Sequence, residues 1–492
     1  MKLIVKDVDI ATGDLLVVII NEEDARRLDL HSEDRVKVSL RGRETIAIVD
    51  IAESKKAVPP GRIGFFEEML DNLHAKNGDT VELNLEQKPN SLKSIKRKLD
   101  GKELSHEEIF EVVTDLVENK LTDVELTYFI AASYTHGLSF KETISLTKAM
   151  IETGDVLKIN RYPILDKHSI GGVPGNRTTM IAVPIIVAAG LTMPKTSSRS
   201  ITSPAGTADT MEVLCDVSLP LSKIKKVVES VGGCIVWGGA VNLAPADDKI
   251  IHVENPLSID AEGQLLSSIM AKKGSVSSTH VLIDIPIGKS TKVESEKEAR
   301  HLASEFSKVG KEIGMKIKTV ITDGKEPIGH GIGPNLEARD VLWLLEQDKR
   351  APQDLWKKSL FLCEEMLTMA GKSKKLAQKM LESGKAHEKM LEIIKAQGSK
   401  ITDPEKIKMG KYTFDYKAFR TGKIKHLDNL VIAKAARIAG APKDKAAGIY
   451  LYKHTFERVE KGETILTLYA ENEEKLEFAK TILKSPQGII LQ

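Results

Sequence analysis

Apolar residues alternate with a period of two near the start of the chain and recur at helical spacing after it, and this change marks the first boundary. Within residues 1–86, β-branched or alternating runs at Leu15–Ile20, Val36–Leu40, Thr45–Ile51 and Thr80–Leu85 predict strands. Asn21–Leu28 and Phe65–Leu73 predict short helices, and Glu86–Ser91 reads as a polar linker. Three helix starts follow, each with a hydroxyl residue three places before a glutamate: Ser105 and Glu108, Thr122 and Glu125, Ser139 and Glu142. Such a hydroxyl accepts from the third helical N–H while the glutamate reaches back to the cap. Ile109, Val112, Val113 and Leu116 then repeat on one helical face.

From residue 156 the rhythm becomes strand and helix in turn. Residues 166–169 predict a strand, Met180–Leu191 a buried helix and Ile235–Trp237 another strand. Asp247–Val253 and Glu262–Lys273 read as helices, so the chain is expected to return to the helical lobe there. Val281–Ile287, Glu294–Ile313 and Lys316–Thr322 form a β-α-β unit, the mark of a parallel sheet. Leu336–Gln347 and Leu355–Met369 predict helices, and the charged residues 371–398 predict a solvated helical face. Near the end, Gly448–His454 and Thr464–Tyr469 predict strands and Glu473–Leu483 a helix.

The expected fold class is α/β: a helical lobe plus a mixed, mainly parallel α/β lobe, with an N-terminal β-rich domain and a C-terminal α+β subdomain. The expected boundaries are 1–86 for the β-rich domain, 90–155 and 246–275 for the helical lobe, 156–245 and 276–409 for the α/β lobe, and 410–492 for the last subdomain. A lobe made of two separated segments implies a double crossing, a natural hinge and a cleft.

Composition narrows the function. Charged residues make up 29% of the 492, yet the net charge is only +2, which argues against a general nucleic-acid binder. No apolar run reaches the ~20 residues that span a membrane, and the N-terminus lacks the apolar core of a signal peptide. Cys215, Cys234 and Cys363 are few and scattered, which fits a reducing cytoplasm rather than a disulfide framework or a zinc site.

Candidate chemistry concentrates in residues 166–212. The first turn reads Asp166-Lys167-His168-Ser169-Ile170-Gly171-Gly172-Val173-Pro174-Gly175-Asn176-Arg177-Thr178-Thr179. The second runs from Ser197-Ser198-Arg199-Ser200-Ile201-Thr202-Ser203 through Gly206-Thr207 to Asp209 and Glu212. Glycines let backbone approach a ligand, helix starts present N–H groups to anions, and hydroxyls, Lys167 and Arg199 add donors and charge. Two such turns at strand ends suggest one phosphate-rich site. Gly288-Lys289-Ser290 is not a P-loop, because Ile283 stands where its first glycine belongs.

These two motifs, with Ser268 and Lys272 beyond them, resemble the thymidine and pyrimidine nucleoside phosphorylase family over roughly residues 90–492. Within it the chain most resembles the archaeal AMP phosphorylase branch, which carries an extra N-terminal domain like residues 1–86. The resemblance implies phosphorolysis of an N-glycosidic bond, with no metal and no organic cofactor. It implies that Lys167 and Ser169, with Thr179, Ser197 and Thr207, grip inorganic phosphate. It implies that Gly172, Ser198, Arg199, Ser200, Ile201, Thr202, Ser203, Thr207, Ser268 and Lys292 meet the nucleotide, and that Asp260 is the general acid. On the residues alone, Asp260 reads first as a cap before the helix at Glu262, and only the resemblance turns the reading to the acid. His168, Arg177 and Lys272 carry no assigned contact. Val253 stands where pyrimidine enzymes carry a base-gripping arginine, which turns the expectation towards nucleoside 5′-monophosphates: AMP, then CMP and UMP. The expected partners are that nucleotide, inorganic phosphate and a second copy of the chain, with a larger assembly through residues 1–86. A pyrimidine nucleoside phosphorylase, a magnesium-dependent phosphoribosyltransferase and a non-catalytic nucleotide-binding assembly protein are the alternatives.

Overall fold

A computed structural model describes residues 1–13, 16–200, 203–254, 259, 261–485 and 488–492. Ile201, Thr202 and Asp260 therefore lie outside the described residues. The chain divides into two compact units, Met1–Gly154 with Ala244–Ser268, and Asp155–Leu243 with Ile269–Gln492.

In the first unit the N-terminal strands close into a barrel. Its order is Lys2–Asp7, Arg62–Phe65, Val17–Asn21, Arg43–Ala52, Arg35–Leu40 and Thr80–Leu85, which pairs back with the first. Alternation explains the closure: Leu3, Val5, Val18, Ile20, Val36 and Val38 point inward and are fully buried. Sequence pattern alone had not marked Lys2–Asp7 or Arg62–Phe65 as strands. Four helices follow, Ser91–Leu99, His106–Val117, Asp123–His136 and Phe140–Glu152. All three capping boxes form. Glu142 also takes the Lys98 ammonium at 2.7 Å, in a pair buried on both sides. The Arg35 Nε of the barrel donates to the Lys120 carbonyl at 2.6 Å and its guanidinium pairs with Glu125, so barrel and bundle are tied within this unit.

The second unit is built on parallel strands. Lys316–Asp323, His280–Ile287 and Leu165–Ser169 lie side by side, and Met193–Ser197 pairs with Gly233–Trp237. One bridge, Ile164 to Thr192, joins the two sets. The helix Thr178–Ala188 is buried from Thr178 to Val187, which is why its sequence shows no polar face.

Residues 371–398 depart from expectation. They form Lys375–Glu382 and Lys385–Gln397, and the second buries Ala386, Met390, Ile393, Ile394 and Gln397. Abundant lysines on the outer face had hidden this apolar stripe. Gln397 is also a hydrogen-bonding wedge: it accepts from the Ile235 N–H at 2.8 Å and donates to the Ile235 and Asp216 carbonyls at 2.9 Å.

The C-terminal subdomain consists of antiparallel strands with helices Asn429–Ile438 and Glu473–Leu483. Asn429 donates to the Gly324 carbonyl at 2.8 Å, and the Thr455 N–H donates to Glu326 at 2.9 Å. These bonds brace residues 324–328. A Cβ on Gly288 would lie 2.7 Å from the Gly324 backbone, so the next loop rests directly on this segment.

Candidate active site

The strand Leu165–Ser169 delivers Lys167 and Ser169 to the first turn. Lys167 is buried and its Nζ donates to the Thr178 hydroxyl at 2.6 Å. Burial pushes this ammonium down to about 8, helped by Lys358 and Arg177 and opposed by Asp284. The Ser169 hydroxyl donates to Asp284 Oδ2 at 3.0 Å and accepts from Asn176 at 3.2 Å. Gly171 and Gly172 both take positive φ, +99° and +92°. A Cβ on Gly172 would sit 2.8 Å from Thr291 Cα and 2.9 Å from the Lys292 nitrogen. Only glycine therefore lets this turn pass beside the loop that carries Lys292. That loop is itself drawn shut by the Thr291 hydroxyl, which donates to the Gly288 and Val293 carbonyls.

The helix Thr178–Ala188 starts without a side-chain cap and without an acid in its first turn. Its N-terminal partial positive charge is left for an anion. The helix Thr207–Leu214 differs. Asp209 lies in its first turn and accepts from the Gly206 N–H at 2.9 Å and the Ser200 N–H at 2.7 Å. The second loop is thus braced by its own carboxylate. Arg199 completes the brace: it meets Glu212 at 2.7 Å and Asp209 at 3.3 Å, and stacks 4.7 Å from the Trp237 ring. Lys445 holds Glu212 from the other side at 2.6 Å. These partners, Arg199 first, keep the Glu212 carboxyl down at about 2.

Within this loop the Ser200 hydroxyl bonds to Ser203, and the Ser203 hydroxyl donates to the Ala205 carbonyl at 3.1 Å. Ser198 is exposed, and its carbonyl lies 2.6 Å from where a Gly206 Cβ would be. Ser197 is buried, and its hydroxyl has no hydrogen-bond partner among the described residues. A buried hydroxyl left so is costly unless a bound molecule meets it.

Arg177 stitches the two loops together. It donates to the Thr207 hydroxyl at 3.0 Å and to the Ala205 carbonyl at 2.9 Å, and pairs through Nε with buried Glu337. Glu337 also accepts from Thr210 at 3.0 Å and from the Gly333 N–H at 3.2 Å.

Lys167, Ser169, Gly172, the described part of Ser198–Ser203, Thr207 and the Lys292 loop therefore share one unit, and contacts run between their loops. Ser268 belongs to the first unit, on the helix Glu262–Gly274 that crosses the boundary after it. His168 is held well below its usual range, by burial first and then by Lys273, Lys195, Lys272 and Lys167. Beneath it, Asp166 pairs with Lys273 at 2.8 Å and Lys195 at 3.4 Å.

Sequence reasoning missed Asp284 and Lys358. Asp284 had a signal, because it is the lone acid in the strand His280–Ile287, which is otherwise almost wholly apolar. Lys358 had none, being one of two adjacent lysines on the helix Gln353–Met369. Among the described residues no group of three or more histidines, cysteines and acids is placed to hold a metal ion, and no helix is long and apolar enough to cross a membrane.

Comparison with known proteins agrees with this architecture. Residues 92–154 match the helical bundle domain of the glycosyl transferase family, and residues 161–387 match the family's a/b domain. Residues 423–489 match the pyrimidine nucleoside phosphorylase C-terminal domain. A protein of Thermococcus kodakarensis named AMP phosphorylase is 45% identical over 498 residues, spanning 100% of this chain and 98% of its own length. One of Methanosarcina barkeri with the same name is 46% identical, spanning 96% of this chain and 94% of its own. In fold, the chain is similar to anthranilate phosphoribosyltransferase of Thermus thermophilus, with a TM-score of 0.52 at 19% identity, over 62% of this chain and 99% of that one. The paired bundle and a/b domains and the full-length likeness place the chain in the glycosyl transferase family that bears the pyrimidine nucleoside phosphorylase C-terminal domain, as a pentosyl-transferring phosphorylase.

Proposed function

We propose that this enzyme cleaves nucleoside 5′-monophosphates, AMP first and CMP and UMP with it, using inorganic phosphate, and releases the free base and ribose 1,5-bisphosphate. The observation that carries this is the pair of dissimilar anion loops joined by Arg177. The first offers an uncapped helix start, Lys167 and Ser169 to an attacking dianion. The second is a hydroxyl-rich turn whose described ends are braced by Asp209, on the Ser200 and Gly206 N–H groups, and by Glu212, on Arg199. Both turns resemble those of pyrimidine nucleoside phosphorylases, so the choice of a 5′-phosphorylated substrate rests on Val253, which stands where pyrimidine enzymes carry a base-gripping arginine. Full-length likeness to proteins named AMP phosphorylase supports the same choice.

In the reaction the phosphate oxygen forms a bond to the anomeric carbon as the N-glycosidic bond breaks through an oxocarbenium-like state. Lys167 and the helix start hold the nucleophile; fixing two reactants in line supplies much of the acceleration. A purine leaves more readily when protonated, and Asp260 is the residue assigned to that proton. Ser268 and Lys292 are assigned to the substrate side opposite the phosphate. The protein is further assigned to the cytoplasm, as a homodimer with larger assembly through residues 1–86.

The test is a substrate panel: AMP, CMP and UMP against adenosine, uridine and thymidine, each with phosphate. Preference for the 5′-phosphorylated compounds is expected. Faster cleavage of thymidine or uridine would replace this reading by a pyrimidine nucleoside phosphorylase.

A further inference from the structure

Asp284 lies directly opposite Ser169 in the strand register. Its carboxylate accepts from the Ser169 hydroxyl at 3.0 Å and from the Thr322 hydroxyl at 2.5 Å. On the helix Gln353–Met369, Lys358 brings its Nζ to 3.5 Å from the same Oδ2 that Ser169 uses. The Lys358 side chain is 9% exposed, and its ammonium has no hydrogen-bond partner among the described residues. A buried ammonium with a single distant counter-ion is costly unless another anion completes its surroundings.

Lys167 and Lys358 both act on Asp284, which is one carboxylate. Arg177 is matched by Glu337. One positive charge is left over beside Ser169, under the uncapped helix start. A free ammonium beside hydroxyl and N–H donors suits a phosphate dianion better than one lysine alone would.

We propose that Lys358 is a positioning residue of the inorganic-phosphate subsite: by neutralising Asp284 it releases the Ser169 hydroxyl and the Lys167 charge to the dianion. The proposal rests on the phosphorolysis reading. Before phosphate binds, Ser169 donates to Asp284. Once it binds, the Ser169 hydroxyl turns to a phosphate oxygen, while Asp284 keeps Thr322 and Lys358 and so stays neutralised.

The experiment compares wild type, Lys358→Met and Lys358→Arg in two measurements: thermal stabilisation by inorganic phosphate alone, and KM for phosphate and for AMP in turnover. Lys358→Met is expected to weaken phosphate about tenfold or more in both measurements, with KM for AMP within about twofold, and Lys358→Arg to recover part of the loss. Unchanged phosphate binding in Lys358→Met overturns the proposal, and so does an equal loss towards phosphate and AMP, the sign of general damage. Should Lys358→Met not fold, Lys358→Arg carries the test: its displaced charge must alter phosphate binding alone, and unaltered binding overturns the idea. Lys358-dependent phosphate binding in a wild type that leaves AMP intact would remove the phosphorolysis reading and keep the subsite. AMP cleavage with phosphate binding indifferent to Lys358 would do the reverse.

Discussion

The Arg177 guanidinium donates to the Thr207 hydroxyl at 3.0 Å, which ties the first glycine turn to the helix that follows the second. The same guanidinium neutralises Glu337, a fully buried carboxylate. Arg177→Met is therefore expected to do two things. It strands Glu337 without a cation, at a cost of about 3–5 kcal/mol in unfolding free energy. It also frees the two loops from each other, so KM rises for phosphate and nucleotide together. Adding Glu337→Gln should return more than half of the lost stability in denaturant unfolding. Simple addition of the two single losses would show that the pair is not a unit.

Lys167 gives a pH signature. Burial pushes it down to about 8, below its ordinary range, so the ammonium assigned to phosphate is charged below that pH and lost as pH rises through it. Phosphate is already a dianion there and offers no compensating gain. KM for phosphate should stay level from about pH 7 and then climb about tenfold for each further unit above the lysine's pKa. Lys167→Met should have a high, pH-independent KM. A flat profile in wild type would mean that Lys167 does not face the anion.

The clamp Arg199–Glu212 supports the second loop alone. Glu212→Gln should raise KM for AMP about tenfold while changing KM for phosphate less than about threefold. The sign of its pH dependence follows from a depressed carboxyl. The clamp's stabilisation is complete above the ordinary glutamate range and disappears only as pH falls towards about 2. Equal effects on both substrates would show that the loops do not divide the work.

Asp260→Asn should leave the unfolding midpoint unchanged and remove most turnover on AMP, by about 100-fold or more, the usual scale for a general acid. Turnover within a few-fold of wild type would leave Asp260 as nothing more than a cap.

Much of this protein was legible from periodicity. The three hydroxyl–glutamate caps, the β-α-β rhythm and the glycine turns all rest on local rules that the sequence states openly. What was hidden depends on distant partners. Lys2–Asp7 becomes a strand because Arg62–Phe65 and Thr80–Leu85 lie on either side of it, and no window of a few residues contains that information. The stripe Ala386, Met390, Ile393, Ile394 was outvoted by its lysines. Arg199 was legible as a cation but not as one spent on Asp209 and Glu212, ten and thirteen residues further on. Lys358 meets Asp284 from a separate helix, a pairing that only the packed structure discloses.

The central claim is that the first loop holds phosphate as the nucleophile while the substrate keeps its own phosphoryl group. It is tested most directly by cleaving AMP with ¹⁸O-labelled inorganic phosphate and locating the label in the product. The account predicts a ribose carrying two phosphoryl groups, with the label confined to the one at the anomeric carbon, its bridging oxygen included. Ribose 5-phosphate with an unlabelled anomeric oxygen, from attack by water, would contradict it.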